Sequence, residues 1–294
     1  MPRLHRRTTA LERAALRRVP GLQSLMRNTS NWSRELWALA FVPGHPWARA
    51  VVGTVARLHR LLQLRTPALR GLTRPSYRVG CKRILLASDY YPALRQPNVD
   101  VIAQAVKEVD PYTITAADGT RRPADVIVFG TGFRVFDPPI SHRITGTDGR
   151  TLADHWGEGM TAHNNVTVPG FPNLFLLLGP NSGLAHSSLV LMLEAQLGYL
   201  LACLSYVERN KAQAIEATRQ AWHTYRQQTR DRASGAAWMT GCDSWYLDPR
   251  TGQNTALWPR PVFAYRNLLR AFRPQDHTLT GHMDPALGMP GQLR

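Results

Sequence analysis

The sequence predicts an α/β fold: a doubly wound parallel sheet, only partly present, with an N-terminal helical segment before it and an irregular C-terminal tail after it. Three observations predict this. Apolar residues recur at helical spacing through residues 8–70. The run Ala124-Asp125-Val126-Ile127-Val128-Phe129 is continuously apolar after its acid and stops at Gly130-Thr131-Gly132. A second run, Leu174-Phe175-Leu176-Leu177-Leu178, stops at Gly179-Pro180-Asn181. Short unbroken apolar runs read as strands buried on both faces of a helix-covered sheet. Ligands of open α/β sheets sit beyond the carboxyl ends of such strands, so two endings of this kind predict one large ligand.

The elements follow in order. Thr9-x-x-Glu12 is a capping-box pattern opening a helix that Pro20-Gly21 ends. Pro46 suits a first helical turn. After it Trp47, Val51, Val55, Leu58 and Leu62 repeat on one face, with Arg49, Arg57 and Arg60 elsewhere on the wheel, which predicts an amphipathic helix packed on a core. Arg83–Ser88 and Val99–Ile102 read as short strands. Tyr112–Thr115 and Asp125–Phe129 flank Asp118-Gly119, a hairpin-turn signal. Residues 134–170 read as an irregular connection. The strand Leu174–Leu178 leads into a helix from about Ser182 to Arg209, and residues 211–232 read as another helix. From Gly241 onward the tail is aromatic and proline-rich with little periodicity. The organisation expected is a helical segment over 1–74, an α/β region over 75–210, and a C-terminal helix and covering loops over 211–294.

A chain of 294 residues holds one large domain or two smaller ones, and 44% hydrophobic residues suit a folded protein. The net charge is +16, yet residues 1–80 hold 15 Arg against only Glu12 and Glu35. Such asymmetry raises the reading of a non-catalytic binder of nucleic acid or anionic membrane. These arginines alternate with apolar residues instead of forming a tail, so a solvated helical face is the reading preferred, with no nucleic-acid partner. Cys81, Cys203 and Cys242 are too few and scattered for a disulfide framework, and a reducing, cytoplasmic setting is expected. No apolar stretch follows the basic start as in a signal peptide. Leu184–Val207 is long enough to span a bilayer, but Glu194 and Gln196 at its middle predict a buried helix and no stable membrane insertion.

The one formal G-x-G-x-x-[GA] match, Gly157 to Ala162, follows His155-Trp156 instead of a strand and leads into His163-Asn164-Asn165, so it reads as a decoy. Gly130-Thr131-Gly132 follows a strand-like run but has Val135 where the third small residue belongs. His155, His163 and His186 lack metal-ligand spacing. His186-Ser187-Ser188 lacks a nucleophile elbow, and serines there read as helix caps.

Five segments carry a resemblance. The run Asp125-x-Ile127-Val128-Phe129-Gly130-Thr131-Gly132-Phe133 is similar to a late segment of flavin-dependent monooxygenases. Cys81-Lys82-Arg83 with Asp89-Tyr90-Tyr91-Pro92 and Gln96-Pro97-Asn98-Val99 resembles the segment before it in Baeyer–Villiger monooxygenases. Pro172-Asn173-Leu174-Phe175 through Gly179-Pro180-Asn181, then Gly241-Cys242-Asp243-Ser244-Trp245-Tyr246, then Asn254-Thr255-Ala256-Leu257-Trp258-Pro259 continue in the family's order. The chain resembles the C-terminal portion of such an enzyme. The family's FAD and NADPH fingerprints, which belong to an N-terminal half, are not in it.

The resemblance implies part of an FAD/NAD(P)-binding sheet and the cofactors FAD and NADPH. It implies conversion of a small-molecule ketone and dioxygen into an ester or lactone by way of a flavin peroxide. The isolated chain is expected to be inactive. Arg83 is implied as the catalytic guanidinium, a fixed positive charge suited to an anionic oxygen. Lys82 is implied at the NADPH phosphate, and Trp245 on a loop that closes over the nicotinamide nucleotide. Gly130, Thr131, Gly132, Gly179, Pro180 and Asn181 are implied beside the flavin, with His186 at the head of the following helix. Gly130 stands where the family usually has alanine, and Ser187 where some relatives have asparagine. A flavin enzyme oxygenating nitrogen or sulfur is the nearest alternative; Lys82-Arg83 favours the ketone reading.

Overall fold

The computed structural model describes residues 1–2, 8–239 and 244–282. The readings that fall on Gly241, Cys242 and Asp243 lie outside the described residues, as does the tail beyond 282. In chain order the elements are α1 (Ala10–Arg18), α2 (Leu22–Ala38), α3 (Pro46–Gln63), α4 (Pro67–Leu72) and α5 (Tyr90–Ala93). Strands β1 (Val106–Val109), β2 (Thr113–Ala116) and β3 (Arg121–Pro123) follow, then α6 (Leu152–His155) and α7 (Leu189–Arg209). The chain closes with β4 (Ala212–Ala217), α8 (Arg219–Ala233), α9 (Val262–Arg270) and β5 (His277–His282). Two compact units result, Met1–Arg7 with Val51–Ser76 and Ile84–Val135, and Thr8–Ala50 with Tyr77–Arg83 and Phe136–Arg294.

In the first unit, β1, β2 and β3 form an antiparallel sheet in sequence order. The Asp118-Gly119 turn joins β2 to β3 with Thr113 opposite Pro123. Arginines here work as caps. The buried Arg60 guanidinium donates to the Arg70 carbonyl. Arg70 in turn donates to the carbonyls of Leu64 at 2.7 Å and Leu61 at 3.1 Å, serving the acceptors that the end of α3 leaves open. The predicted apolar face of α3 does not pack on a core: Trp47, Val51, Leu58 and Leu62 are exposed, while Ala48, Val52 and Leu64 are buried. Nor do Arg83–Ser88 and Val99–Ile102 form strands.

The parallel sheet predicted from the two glycine-ended runs is not formed among the described residues. Val126, Val128 and Phe129 are 78%, 88% and 80% exposed, and the segment has no strand. The second run keeps one bridge, Phe175 to Thr167. A strand buried on both faces needs hydrogen-bonded neighbours along its edges and helices over it. The described chain sets no such neighbour beside the first run and only the short Val166–Thr167 stretch beside the second.

The second unit has its core around α7. Leu191, Met192, Tyr199 and Cys203 on one face of α7 pack with Ile215 of β4, Tyr225 of α8 and Val262, Tyr265 and Leu269 of α9. A smaller core gathers Leu152, Trp156, Met160, Val168 and Phe171. The start of the stretch predicted as one helix over 211–232 is a strand: Lys211 turns the chain at φ 51°, β4 pairs antiparallel with β5, and α8 begins only after Thr218, whose hydroxyl accepts from the Ala221 N–H at 3.1 Å. The tail read as irregular supplies α9 and β5. Tertiary pairing decided both, which local spacing cannot show.

Helix α7 is long and apolar enough to cross a membrane by length and composition. Its opposite face exposes Val190, Leu197, Leu201 and Leu204. Glu194 on that side pairs with Arg27 of α2.

Candidate functional site

The Lys82-Arg83 pair is positioned by the residues before it. Gly80 has φ +95°, and a Cβ there would lie 2.5 Å from the Cβ of Ala237, so only glycine fits this turn. Cys81 is fully buried. Its carbonyl accepts from the Ser244 hydroxyl at 2.8 Å, joining segments 163 residues apart. Its sulfur is disulfide-bonded, while Cys203 is a free buried thiol. Lys82 and Arg83 then emerge exposed, with Lys82 Nζ 5.0 Å from the centre of the Tyr77 ring.

Beyond Ser244, the half-exposed Trp245 lies against Tyr246, ring centres 4.4 Å apart. Burial pushes the Tyr246 phenol up to about 12, and the Arg83 charge draws it partly back. The Cys81–Ser244 hydrogen bond thus joins the segment that carries Lys82 and Arg83 to the segment that carries Trp245.

The loop Gly179–Gly183 is held from three sides. Asn181, at φ 58°, donates its side-chain amide to the carbonyls of Asn254 at 2.9 Å and Leu257 at 3.3 Å. Its backbone N–H donates to Thr255 O at 2.7 Å, and Gly183 N–H to Ala256 O at 2.8 Å. Thus the Pro172–Asn181 and Asn254–Pro259 motifs meet. A Cβ on Gly179 would strike the Asn165 carbonyl oxygen at 2.5 Å, so close approach of the chain to itself already requires glycine there. Pro180 is buried beside it.

A residue that sequence reading noted only as polar holds this loop to α7. Gln196 is 0% exposed. Its carbonyl accepts from Leu178 N–H at 2.8 Å, and its amide donates to Ser182 Oγ at 2.9 Å and Tyr265 Oη at 3.0 Å. Its signal was a lone amide amid a helical apolar run, a position where a polar group needs partners.

At the head of α7, Ser188 is the N-cap. The imidazole of His186 is buried with Nε2 3.7 Å from Glu35 Oε1 of α2, and Glu35 Oε2 accepts from Val262 N–H at 2.7 Å. Sequence reading treated Glu35 only as one of two acids in a basic segment. Burial raises its carboxyl, but His186, the Val262 N–H and the Ser187 hydroxyl outweigh this and leave it below its ordinary value. A depressed folded value means that the pairing stabilises the fold above the unfolded value of 4.5 and is lost as pH falls through the folded one. The urea midpoint is therefore expected to drop more between about pH 5 and pH 3 in the parent than in Glu35→Gln. Parallel curves for the two proteins would refute this.

Gly130, Thr131 and Gly132 lie in the first unit. A Cβ at either glycine would meet nothing within 4 Å, so their backbone is open to approach. The decoy at Gly157 follows α6 and no helix follows it, so no pyrophosphate cradle forms there. Among the described residues no group of three or more His, Cys, Asp or Glu could hold a metal. Within the second unit an exposed Lys-Arg pair and a half-exposed tryptophan suit the charge and ring of a nucleotide, and within the first the open glycines leave backbone accessible; no pyrophosphate cradle forms among the described residues.

No family model matches the chain. It is 43% identical over 272 residues to a Baeyer–Villiger monooxygenase of Streptomyces coelicolor, covering 92% of this chain and 52% of that protein. To a Baeyer–Villiger monooxygenase of Pseudomonas aeruginosa it is 37% identical over 286 residues, covering 95% and 53%. The crystal structure of cyclohexanone monooxygenase from Rhodococcus sp. Phi1 bound to NADP+ superposes with a TM-score of 0.71 at 26% identity, over 81% of this chain and 46% of that one. The chain spans about half the length of the curated relatives it matches.

Proposed function

We propose, from the premise that this chain is a homologue of part of the Baeyer–Villiger monooxygenases, that it forms one side of an FAD- and NADPH-dependent oxygenation site. The reaction is insertion of one oxygen of dioxygen beside a ketone carbonyl, giving an ester or lactone. The observation that carries the reading is the Ser244 to Cys81 hydrogen bond of 2.8 Å, which draws the Lys82-Arg83 and Trp245 segments together.

Bound flavin would supply the electron transfer and oxygen activation; the protein's part is binding, charge and exclusion of water. Arg83 supplies a guanidinium that stays protonated, so it stabilises an anionic oxygen without surrendering a proton to it. Lys82 offers a compact cation to a phosphate. Trp245, half-exposed on Tyr246, offers an aromatic face to cover a nucleotide. Gly130 to Gly132 leave backbone free for a flat ring to approach. Gln196 and Asn181 keep the Gly179–Gly183 loop fixed. His186, whose imidazole points to Glu35, acts through the position of the α7 head and does not touch the cofactor in this reading.

The test supplies the missing part. Co-expressed with, or fused to, the dinucleotide-binding segments of the Streptomyces coelicolor relative, the chain is expected to yield a yellow protein that turns a cyclic ketone into its lactone with NADPH. Alone, it is expected to leave added FAD unbound. Tight one-to-one binding by the chain alone would contradict a partial site. Amine or sulfide oxidation without lactone would favour the nitrogen- or sulfur-oxygenating alternative.

A further inference from the structure

Helix α7 is apolar on two faces, and the second unit covers one of them. The inner face carries Leu191, Met192, Tyr199 and Cys203 into the core. On the outer face Val190, Leu197, Leu201 and Leu204 are exposed. Their helical spacing places them on one stripe. A surface helix ordinarily turns charged and polar residues outward. A contiguous apolar stripe in that place marks a contact surface.

Two residues on the stripe bear on the kind of contact. Gly198 lies beside Leu197 and Leu201, exposed, and a Cβ on it would meet nothing within 4 Å. Glycine inside a helix is destabilising relative to alanine, so the packing of the second unit gives no reason for it. A missing side chain between leucines lets another backbone come close. Glu194, between Val190 and Leu197 on this face, is paired with Arg27 of α2. Paired in this way, it can be covered without leaving a lone charge. A bilayer fits less well, because the acids Glu194 and Glu208 share the stripe, where membrane-surface helices carry Lys and Arg beside their apolar face. The relatives point to the occupant. The chain matches 52% and 53% of the two Baeyer–Villiger monooxygenases, so each carries about as much polypeptide again. An apolar face between two halves of one protein is dry in the whole and open when one half stands alone.

We propose that the outer stripe of α7, Val190, Leu197, Gly198, Leu201 and Leu204, is the docking face for the half of these relatives that the chain does not match. The proposal rests on the reading of the chain as one side of a two-part enzyme. Its test compares the 294-residue chain with the same chain fused to the unmatched half of the Streptomyces coelicolor relative. A thiol placed by Leu201→Cys should react freely with a maleimide in the chain alone and at least about tenfold more slowly in the fusion. A thiol placed by Thr224→Cys, at an exposed position of α8, should react alike in both. Gly198→Ala should raise the urea midpoint of the chain alone, through helix propensity, and lower that of the fusion, through the methyl it puts into the contact. An unchanged Leu201→Cys rate in the fusion, or a Gly198→Ala midpoint that rises in both proteins, would overturn the proposal. So would protection of the unfused chain that grows with its own concentration, which assigns the face to a second copy, or protection by phosphatidylglycerol vesicles, which assigns it to a bilayer. Lactone formed by a fusion whose Leu201→Cys thiol stays open would keep the enzymatic reading and remove this one; protection without lactone would do the reverse.

Discussion

Replacing Arg83 by alanine in the assembled enzyme is expected to lower lactone formation by about 10²–10³-fold, the usual effect of removing one preorganised donor to an oxyanion. The side chain is exposed and its charge reaches Tyr246, but it supports no core, so the folded fraction should not change. NADPH consumption should continue, because the guanidinium is assigned to the oxygen transfer and not to flavin reduction. The measurement is lactone formed per NADPH consumed. Arg83→Lys should recover only part of the loss, since an ammonium lacks the planar fork. Parent-like yield in Arg83→Ala would remove Arg83 from the chemistry and leave it a surface cation.

Gln196→Leu is expected to give the largest loss of stability, about 3–5 kcal/mol. Leucine fills a similar volume but leaves Leu178 N–H, Ser182 Oγ and Tyr265 Oη without the amide they bond. Leu178 N–H and Ser182 Oγ are stranded at on the order of 1–3 kcal/mol each, while Tyr265 Oη keeps its bond to the Asn164 carbonyl at 2.7 Å. Urea unfolding of the parent and the variant checks it, the midpoint moving with little change of slope. A difference below about 1 kcal/mol would mean that the network contributes little to holding the loop.

Local features were legible in the sequence where short-range chemistry decides them. The Thr9–Glu12 capping box forms with both reciprocal bonds, Pro46 opens α3, and Asp118-Gly119 turns β2 into β3. Of the candidate site, Lys82, Arg83 and Trp245 were named from family order, and the structure shows only that the residues beside them, Cys81 and Ser244, are hydrogen-bonded. What failed depended on distant partners. The two glycine-ended runs have the composition of buried parallel strands, and the described chain supplies no strand beside the first and a single bridge beside the second. Strand β4 exists because β5 lies 60 or more residues further along and pairs with it. Gln196 and Glu35 matter through hydrogen bonds to loops and helices remote in sequence, and no spacing rule within their own helices names those partners.

The bare segment from Val126 to Phe133 has a consequence in the living cell. Chaperones and proteases select extended apolar stretches in open view, and identical copies can stack on one another along the same edges. How long this polypeptide survives after synthesis is therefore expected to depend on how soon another strand takes its place beside those residues. A polypeptide that lengthened its lifetime by supplying such a strand would be acting as a folding partner.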